Sequence, residues 1–304
     1  MKAKEPSGSA IVAAITRAAH LFIDDEPKIF HDDFALGFSG MQNETTLKSN
    51  LDMFRSGMAR QTSPEYASSF YISYRAFALI RHRYTEDKLE KATERGISQY
   101  VILGAGLDSF AYRRQDMKDR LRVFEVDHPS SQEWKKRKLE ELKIPVPGNL
   151  TFVPVDFEQQ QLMDELYHHD FKKGSTAFFS WLGVTQYLTE EAIFQVLKDV
   201  ASTAPGSEII LEYVLPETLL ERGDQQIVAG GRNLPTEPWL STFSPNDLTE
   251  RLKNTGFTDI EDFGPEEAKM LYFTGRNDDL SSTSLDRLSV SVLRTAHLMK
   301  ARVG

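Results

Sequence analysis

Between residues 99 and 215 the chain repeats one pattern: a short apolar run, a glycine or an acid where the run ends, then a segment with helical spacing. QYVILGAG (99–106) ends on Gly104, Ala105 and Gly106, LRVFEVDHP (121–129) on Asp127, and LTFVPVDFE (150–158) on Asp156. STAFFSWLGVTQYL (175–188) contains a fourth run, and SEIILEYVL (207–215) is a fifth. Apolar runs without polar alternation belong to strands covered on both faces. The intervening segments 131–143, 160–171 and 189–206 read as helices, the last capped by Thr189 and stopped by Gly206. Strands alternating with helices predict an α/β fold with a mostly parallel, doubly wound sheet. Ligands of such sheets sit beyond the carboxyl ends of the strands, so the residues ending each run are the candidates for a site.

The flanks differ from this middle. Residues 1–90 show no strand pattern and read as a helical cap over the strand ends, with 91–304 as the α/β domain. Ile11, Ala14, Ile15, Ala18, Ala19 and Phe22 recur on one side of a helix. Ser63 and Pro64 open a long helix, expected to break near Tyr84 to Glu86 and to stop at Gly96. Residues 244–264 predict a helix, a stop at Gly256 and a strand, and 289–298 a last strand. The polar stretch from 215 to 245 is too long for a plain connection and reads as a substrate loop or lid. Phe30, Phe34, Phe38, Met41, Phe54 and Met58 are either core or the wall of an apolar acceptor pocket.

Composition removes several function classes. A chain of 304 residues buries a sizeable core without staples. Its net charge of −9, with no block of like charge, argues against a nucleic-acid partner. With no cysteine, disulfides and thiolate metal sites are excluded, and a cytoplasmic location fits. Two lysines precede the apolar run Ala10 to Ile15, but that run is too short for an export signal and Thr16 and Arg17 interrupt it. Without export the sequons at Asn43 and Asn149 carry no meaning, and no stretch reaches membrane-spanning length. His20, His31, His82, His128, His168 and His169 are scattered; most are expected at the surface, and no metal site is expected.

The run ends carry the chemistry. Gly104 and Gly106, with Ala105 between them, permit a tight turn and close backbone approach to a ligand. Ser109 stands where a dinucleotide fingerprint has its third glycine. Asp108 would repel a pyrophosphate, so a cationic ligand suits the turn better. Glu125 and Asp127 follow at about the 20-residue distance of a ribose-binding acid. They share one parity and hence one face of the strand. Asp127, the last residue, is the stronger candidate; the alternative is that it caps the next helix together with Ser130. Asp156 can accept from the exocyclic amine of an adenine, with Phe157 against the ring; the alternative is a loop acid beside a core aromatic.

YVILGAGLDSFAYR, RVFEVDHP, FVPVDFE and WLGVTQYLTEEAI follow one another in an order similar to that of S-adenosylmethionine-dependent methyltransferases. The chain most resembles the leucine carboxyl methyltransferase-like group, which includes tetracenomycin-type O-methyltransferases of polyketide pathways. The resemblance covers residues 70 to 270, and GAGLDSFAYR followed by FEVDHP is its specific part. It implies a Rossmann-like class I methyltransferase sheet with an N-terminal helical cap, and S-adenosyl-L-methionine as cofactor. It implies that Arg81, or else Arg83, in LIRHRYTED holds the cofactor's carboxylate. By the same resemblance the cofactor passes Gly104, Ala105 and Gly106, its ribose meets Asp127 beside Glu125, and its adenine meets Asp156 and Phe157. Relatives often carry a glutamate at the start of the fourth motif, near the cofactor's amino group. Leu182 stands there, which leaves that amine to backbone carbonyls, to Asp108, or to no charged group.

Methyl transfer from a sulfonium is an in-line displacement in which the protein mainly positions the reactants. A carboxylate acceptor needs no base, whereas a phenol or alcohol does. No residue stands out as that base. Gln186 and Tyr187 are the candidates to touch the acceptor, Tyr187 being equally readable as a core aromatic. The expectation is an O-methyltransferase acting on a carboxylate or hydroxyl of a small natural-product-like molecule. Neither nucleic acid nor a membrane is an expected partner, and homo-oligomerisation stays open. Two other classes remain: an NAD(P)-dependent oxidoreductase, against which Ser109 and Asp108 count, and a non-catalytic cofactor-binding protein.

Overall fold

A computed structural model describes residues 7–304, so the first six residues of the expected cap lie outside the described residues. Among the described residues, seven strands make one sheet in the order β3-β2-β1-β4-β5-β7-β6. They are β1 (Gln99–Leu103), β2 (Arg122–Asp127), β3 (Leu150–Pro154), β4 (Ala177–Trp181), β5 (Glu208–Val214), β6 (Phe257–Phe263) and β7 (Ala296–Val303). The first five are parallel, and β7 lies antiparallel between β5 and β6. β1, β4 and β5 are buried at every position, as their unbroken apolar runs require. The order reverses between β1 and β4. With right-handed crossovers, the connecting helices therefore fall on opposite faces, and a crevice opens at that switch point.

Among the described residues the helices that frame the sheet include α1 (Gly8–Ile23), α2 (Ala35–Phe38), α3 (Glu44–Gln61), α4 (Pro64–Glu94), α5 (Phe110–Arg113), α6 (Pro129–Glu141), α7 (Leu162–His168), α8 (Glu190–Ala201), α9 (Arg222–Arg232) and α10 (Pro245–Thr255), with three short ones after them. Ser63 caps α4, Thr189 caps α8, and Gly256 ends α10 in a left-handed conformation. Buried Arg17 ties α1 to the loop after β1 by pairing with Asp32 at 2.8 Å and donating to the Leu107 carbonyl at 2.6 Å. Burial opposes charge on Asp32, but Arg17 and Arg113 outweigh it and hold the carboxyl below its usual value.

Several boundaries differ from the sequence expectation. α4 does not break near Tyr84. Thr85 donates its hydroxyl to the Arg81 carbonyl at 2.7 Å, Tyr84 stacks on Phe263 at 4.0 Å, and Glu86 pairs with Arg113. Tyr84 and Glu86 are held by partners remote in sequence, and Thr85 bonds one turn back within the helix. The fourth run is a strand only to Trp181; Gly183 then turns the chain, and Thr185–Tyr187 forms one tight helical turn. The last strand begins at Ala296 rather than 289, because Asp224 accepts from the Ser291 amide and from Arg294, both at 2.7 Å, and fixes a helical turn there. The same Asp224 belongs to α9, so the middle of the expected 215–245 loop is a helix, with Ile227 and Val228 buried. Phe22, expected on the buried side of α1, is exposed, and of the scattered histidines, most of them expected at the surface, His20 and His82 are buried. Phe30 and Phe38 are core, and Phe54 is exposed.

Candidate functional site

A cavity of about 820 Å³ opens beyond the carboxyl ends of the central strands, and α1, α4, α9 and the segment after α9 close over it. Its floor begins at the turn after β1. Gly104 has a φ of +65°, and a Cβ there would lie 2.3 Å from Val184 Cγ2, so only glycine fits on both counts. β2 holds that turn in place: the Ala105 amide donates to the Val126 carbonyl at 3.0 Å, and the Gly106 amide to Asp127 Oδ2 at 2.5 Å. Asp127 Oδ1 accepts from the His128 amide at 2.7 Å. Burial pushes the Asp127 carboxyl above its usual value, and these two backbone donors oppose the push. Asp127 does not cap α6. His128 does so, its Nδ1 accepting from the Ser130 amide at 3.2 Å.

Asp127 lines the cavity and Glu125 does not. Glu125 lies under α6, 1% exposed, and accepts from Lys135 Nζ at 2.6 Å. Burial raises its carboxyl to about 7, with Lys135 opposing. Parity placed the two acids on one face correctly, but only the residue at the strand end clears the helix packed on that face. Asp108 lines the cavity too; its Oδ1 accepts from the Phe110 amide at 2.7 Å, and its Oδ2 is 3.6 Å from His82 Nδ1. Ser109, at the missing third glycine, donates to Asp32 at 2.7 Å and so joins the turn to the N-terminal helices.

Asp156 and Phe157 both reach the cavity wall. Asp156 also shapes its own loop, accepting from the Glu158 amide at 3.0 Å and from Gln159 Nε2 at 2.8 Å, while Phe157 packs against Trp181 at 5.8 Å. Arg81 enters the cavity from α4, but Arg83 points elsewhere and pairs with Asp87 at 2.8 Å. Arg81 Nη1 donates to Glu212 Oε2 at 3.0 Å, and its buried Nε has no hydrogen-bond partner. A Cβ on Gly183, where φ is +70°, would lie 2.9 Å from that Nη1, so the turn after β4 is shaped around the guanidinium.

Glu212 is a cavity residue that reading the run ends missed. It lies inside β5, is 4% exposed, and lines the cavity beside Leu182. The available signal was an acid in the otherwise apolar IILEYV, since a buried carboxylate requires a partner.

Gln186 and Tyr187 line the other side of the cavity. The Tyr187 hydroxyl sits near Ser9, Trp239 and Gln186; burial nevertheless raises its pKa, so it remains a protonated donor. Helix α4 adds Tyr66, Phe70, Tyr74 and Phe77 to this side, and the segment after α9 adds Leu234, Glu237 and Trp239. Of the six aromatic and methionine residues first considered for an acceptor wall, only Met58 lines the cavity. The Trp239 indole lies over Gly231, where a Cβ would sit 2.2 Å from the ring.

Comparison with known proteins gives the family and supports the fold. Residues 10–201 match the family model for leucine carboxyl methyltransferase. The candidate S-adenosyl-L-methionine-dependent methyltransferase YktD of Bacillus subtilis (strain 168) is 32% identical over 294 residues, covering 93% of this chain and 96% of YktD. A similarly named protein of Mycobacteroides abscessus is 32% identical over 151 residues, 49% of this chain and 46% of its own length. The crystal structure of a candidate methyltransferase from Thermobifida fusca YX shares the fold, with a TM-score of 0.56, 16% identity, and coverage of 99% of this chain and 96% of that one. The chain therefore belongs to the leucine carboxyl methyltransferase family and is an S-adenosyl-L-methionine-dependent methyltransferase.

Proposed function

We propose that this enzyme is an O-methyltransferase that modifies a carboxylate or hydroxyl of a small natural-product-like molecule in the cytoplasm. In this reading the cofactor lies along the strand ends. Residues 1–90 act as a cap, and the region near 215–245 as a substrate insertion. The observation that carries it is the Asp127 carboxylate, clamped by two backbone amides at the end of β2 and lining the same cavity as the glycine turn and Arg81.

The residues present fit S-adenosyl-L-methionine, which supplies an electrophilic methyl group when bound. Asp127 would accept from the ribose hydroxyls, and Asp156 with Phe157 would meet the adenine. Gly104, Ala105 and Gly106 allow close approach, and Asp108 adds negative charge suited to a cation. The Arg81–Glu212 pair complements an amino-acid end, which carries both charges side by side. The unpartnered Arg81 Nε is free to bond a carboxylate, and Glu212 supplies the acid that Leu182 does not. Gln186 and Tyr187 lie on the acceptor side, where the Tyr187 hydroxyl can donate but does not serve as a base.

Calorimetric titration with S-adenosyl-L-methionine, S-adenosylhomocysteine and NADH tests the site. Saturable binding of the first two and none of NADH is expected. Absence of binding by either sulfur nucleoside overturns the assignment of this cavity.

A further inference from the structure

Among the described residues, two arginines and no lysine line the cavity. Arg17 pairs with Asp32, which is fully buried and not part of the lining. Arg81 pairs with Glu212, and both partners line the cavity. Register explains how an acid comes to lie there. β4 and β5 run parallel with Trp181 level with Leu211, so the next level sets Leu182 beside Glu212. The uncharged position after β4 is thus matched, one strand over, by a carboxylate. Thr185 fixes that height, its hydroxyl donating to the Glu212 carbonyl at 2.5 Å. Val214, two residues on and therefore on the same face of β5, lines the cavity as well.

The pair leaves bonding capacity on both sides. Glu212 Oε2 accepts from Arg81 Nη1 at 3.0 Å, while its Oε1 accepts from none of the described residues. Arg81 Nε is buried and donates to none of them either. The other acids of the lining are engaged by backbone amides: Asp108 by Phe110, Asp127 by Gly106 and His128, Asp156 by Glu158, and Glu237 by Ser9 at 3.4 Å. Glu212 differs from them in having a side-chain cation as its partner, and that cation has a donor to spare.

We infer that Glu212 receives the ammonium of the cofactor's amino-acid end, so that the Arg81–Glu212 pair selects ligands carrying both charges. This rests on the methyltransferase site proposed above, and it assigns to β5 the contact that Leu182 leaves open. A zwitterion adds one charge of each sign to a buried neutral pair, and each can lie beside its opposite. A ligand with only one of the two charges leaves net charge in a poorly hydrated site, which is costly. The competing role for Glu212 is that of a counter-ion that only keeps Arg81 neutralised and in place. The two roles differ in what the ligand's own amino group is worth.

The test titrates the full-length protein calorimetrically with three thioethers. They are S-adenosylhomocysteine, its deaminated analogue with hydrogen in place of the amino group, and methylthioadenosine, which carries neither charge. The wild-type protein is expected to prefer S-adenosylhomocysteine to the deaminated acid by about tenfold, the size of a charge-assisted hydrogen bond. Glu212→Gln is expected to abolish that preference, because the deaminated acid then supplies the counter-charge that Arg81 has lost. Methylthioadenosine affinity is expected to stay unchanged in the variant, which shows the nucleoside half intact. Equal wild-type affinity for the two acids overturns the inference, and this is read without any variant. A Glu212→Gln protein in which both affinities fall together and the preference survives overturns it too, since that is the pattern of a counter-ion alone. If none of the three binds the wild-type protein, the site reading beneath the inference is overturned, an outcome distinct from a missing preference.

Discussion

The two halves of the cavity are built in opposite ways. The strand-end half is made of charged groups and glycine turns, each fixed by a backbone contact to the next strand: Asp127 by Gly106 and His128, and the Gly104 turn by Val126 and Val184. The helical half is made of side-chain surfaces from segments far apart in the chain, including Met58, Phe70, Tyr187 and Trp239. The first is rigid because its contacts are hydrogen bonds within a buried sheet. The second takes its shape from how helices and one long connection pack, which makes it the half in which relatives of the same fold can differ in acceptor.

The sharpest way to break this division is Asp127→Ala. It strands two backbone donors and removes the proposed ribose partner, and should weaken S-adenosylhomocysteine binding by about 1–3 kcal/mol, or about 5- to 150-fold. Calorimetry showing unchanged affinity would remove Asp127 from the site. Arg81→Lys keeps the charge but loses the planar fork, and should cost about tenfold in the same affinity. The paired control Arg83→Lys should change nothing, since Arg83 faces away from the cavity. In the helical half, Gly231→Ala forces the Trp239 indole to move and should raise the acceptor KM about threefold, near the size of one lost aromatic contact. If it lowered S-adenosylhomocysteine affinity as much as Arg81→Lys, the two halves would not be separable.

The smallest effect lies at the seam between them, where His82 stacks on Phe30 at 5.3 Å and borders the cavity. Its folded-state pKa is well below 6.5, chiefly through burial. As pH falls through 6.5 the unfolded chain takes up a proton that the folded chain refuses, so stability drops on the acid side. The slope is at most about 1.4 kcal/mol per pH unit. Denaturant unfolding of His82→Gln at a series of pH values should show this slope removed. A wild-type stability that is flat below 6.5 would exclude a depressed His82.

The division also explains which residues were legible beforehand. Gly104, Asp127 and Asp156 announce themselves because a polar group or a glycine at the end of an apolar run is a local anomaly, visible without knowing any neighbour. Arg81 was found through resemblance, and structure separates it from Arg83 because Arg81 lines the cavity and pairs with Glu212 while Arg83 pairs with Asp87. Glu125 shows the limit of parity, which gives the face of a strand but not the depth at which a helix covers it. Glu212 lay in plain view inside an apolar strand, but its partner stands 131 residues away. Asp224 is similar: it looks like one acid in a polar loop, yet it organises both α9 and the start of β7.

By itself the amino-acid sequence determined the alternation of strands and helices, the glycine turn and the acids at the strand ends. These follow from hydrophobic periodicity and the conformational freedom of single residues, both short-range properties. Only the tertiary structure decided that α4 runs unbroken, that the 215–245 region contains a helix, and that the arginines of the cavity are already paired. It alone brought the aromatic residues of α4 to the same cavity as Trp239. Those features depend on contacts between segments remote in the chain, and buried charges and ring surfaces are settled by what lies across the cavity rather than by what lies next in sequence.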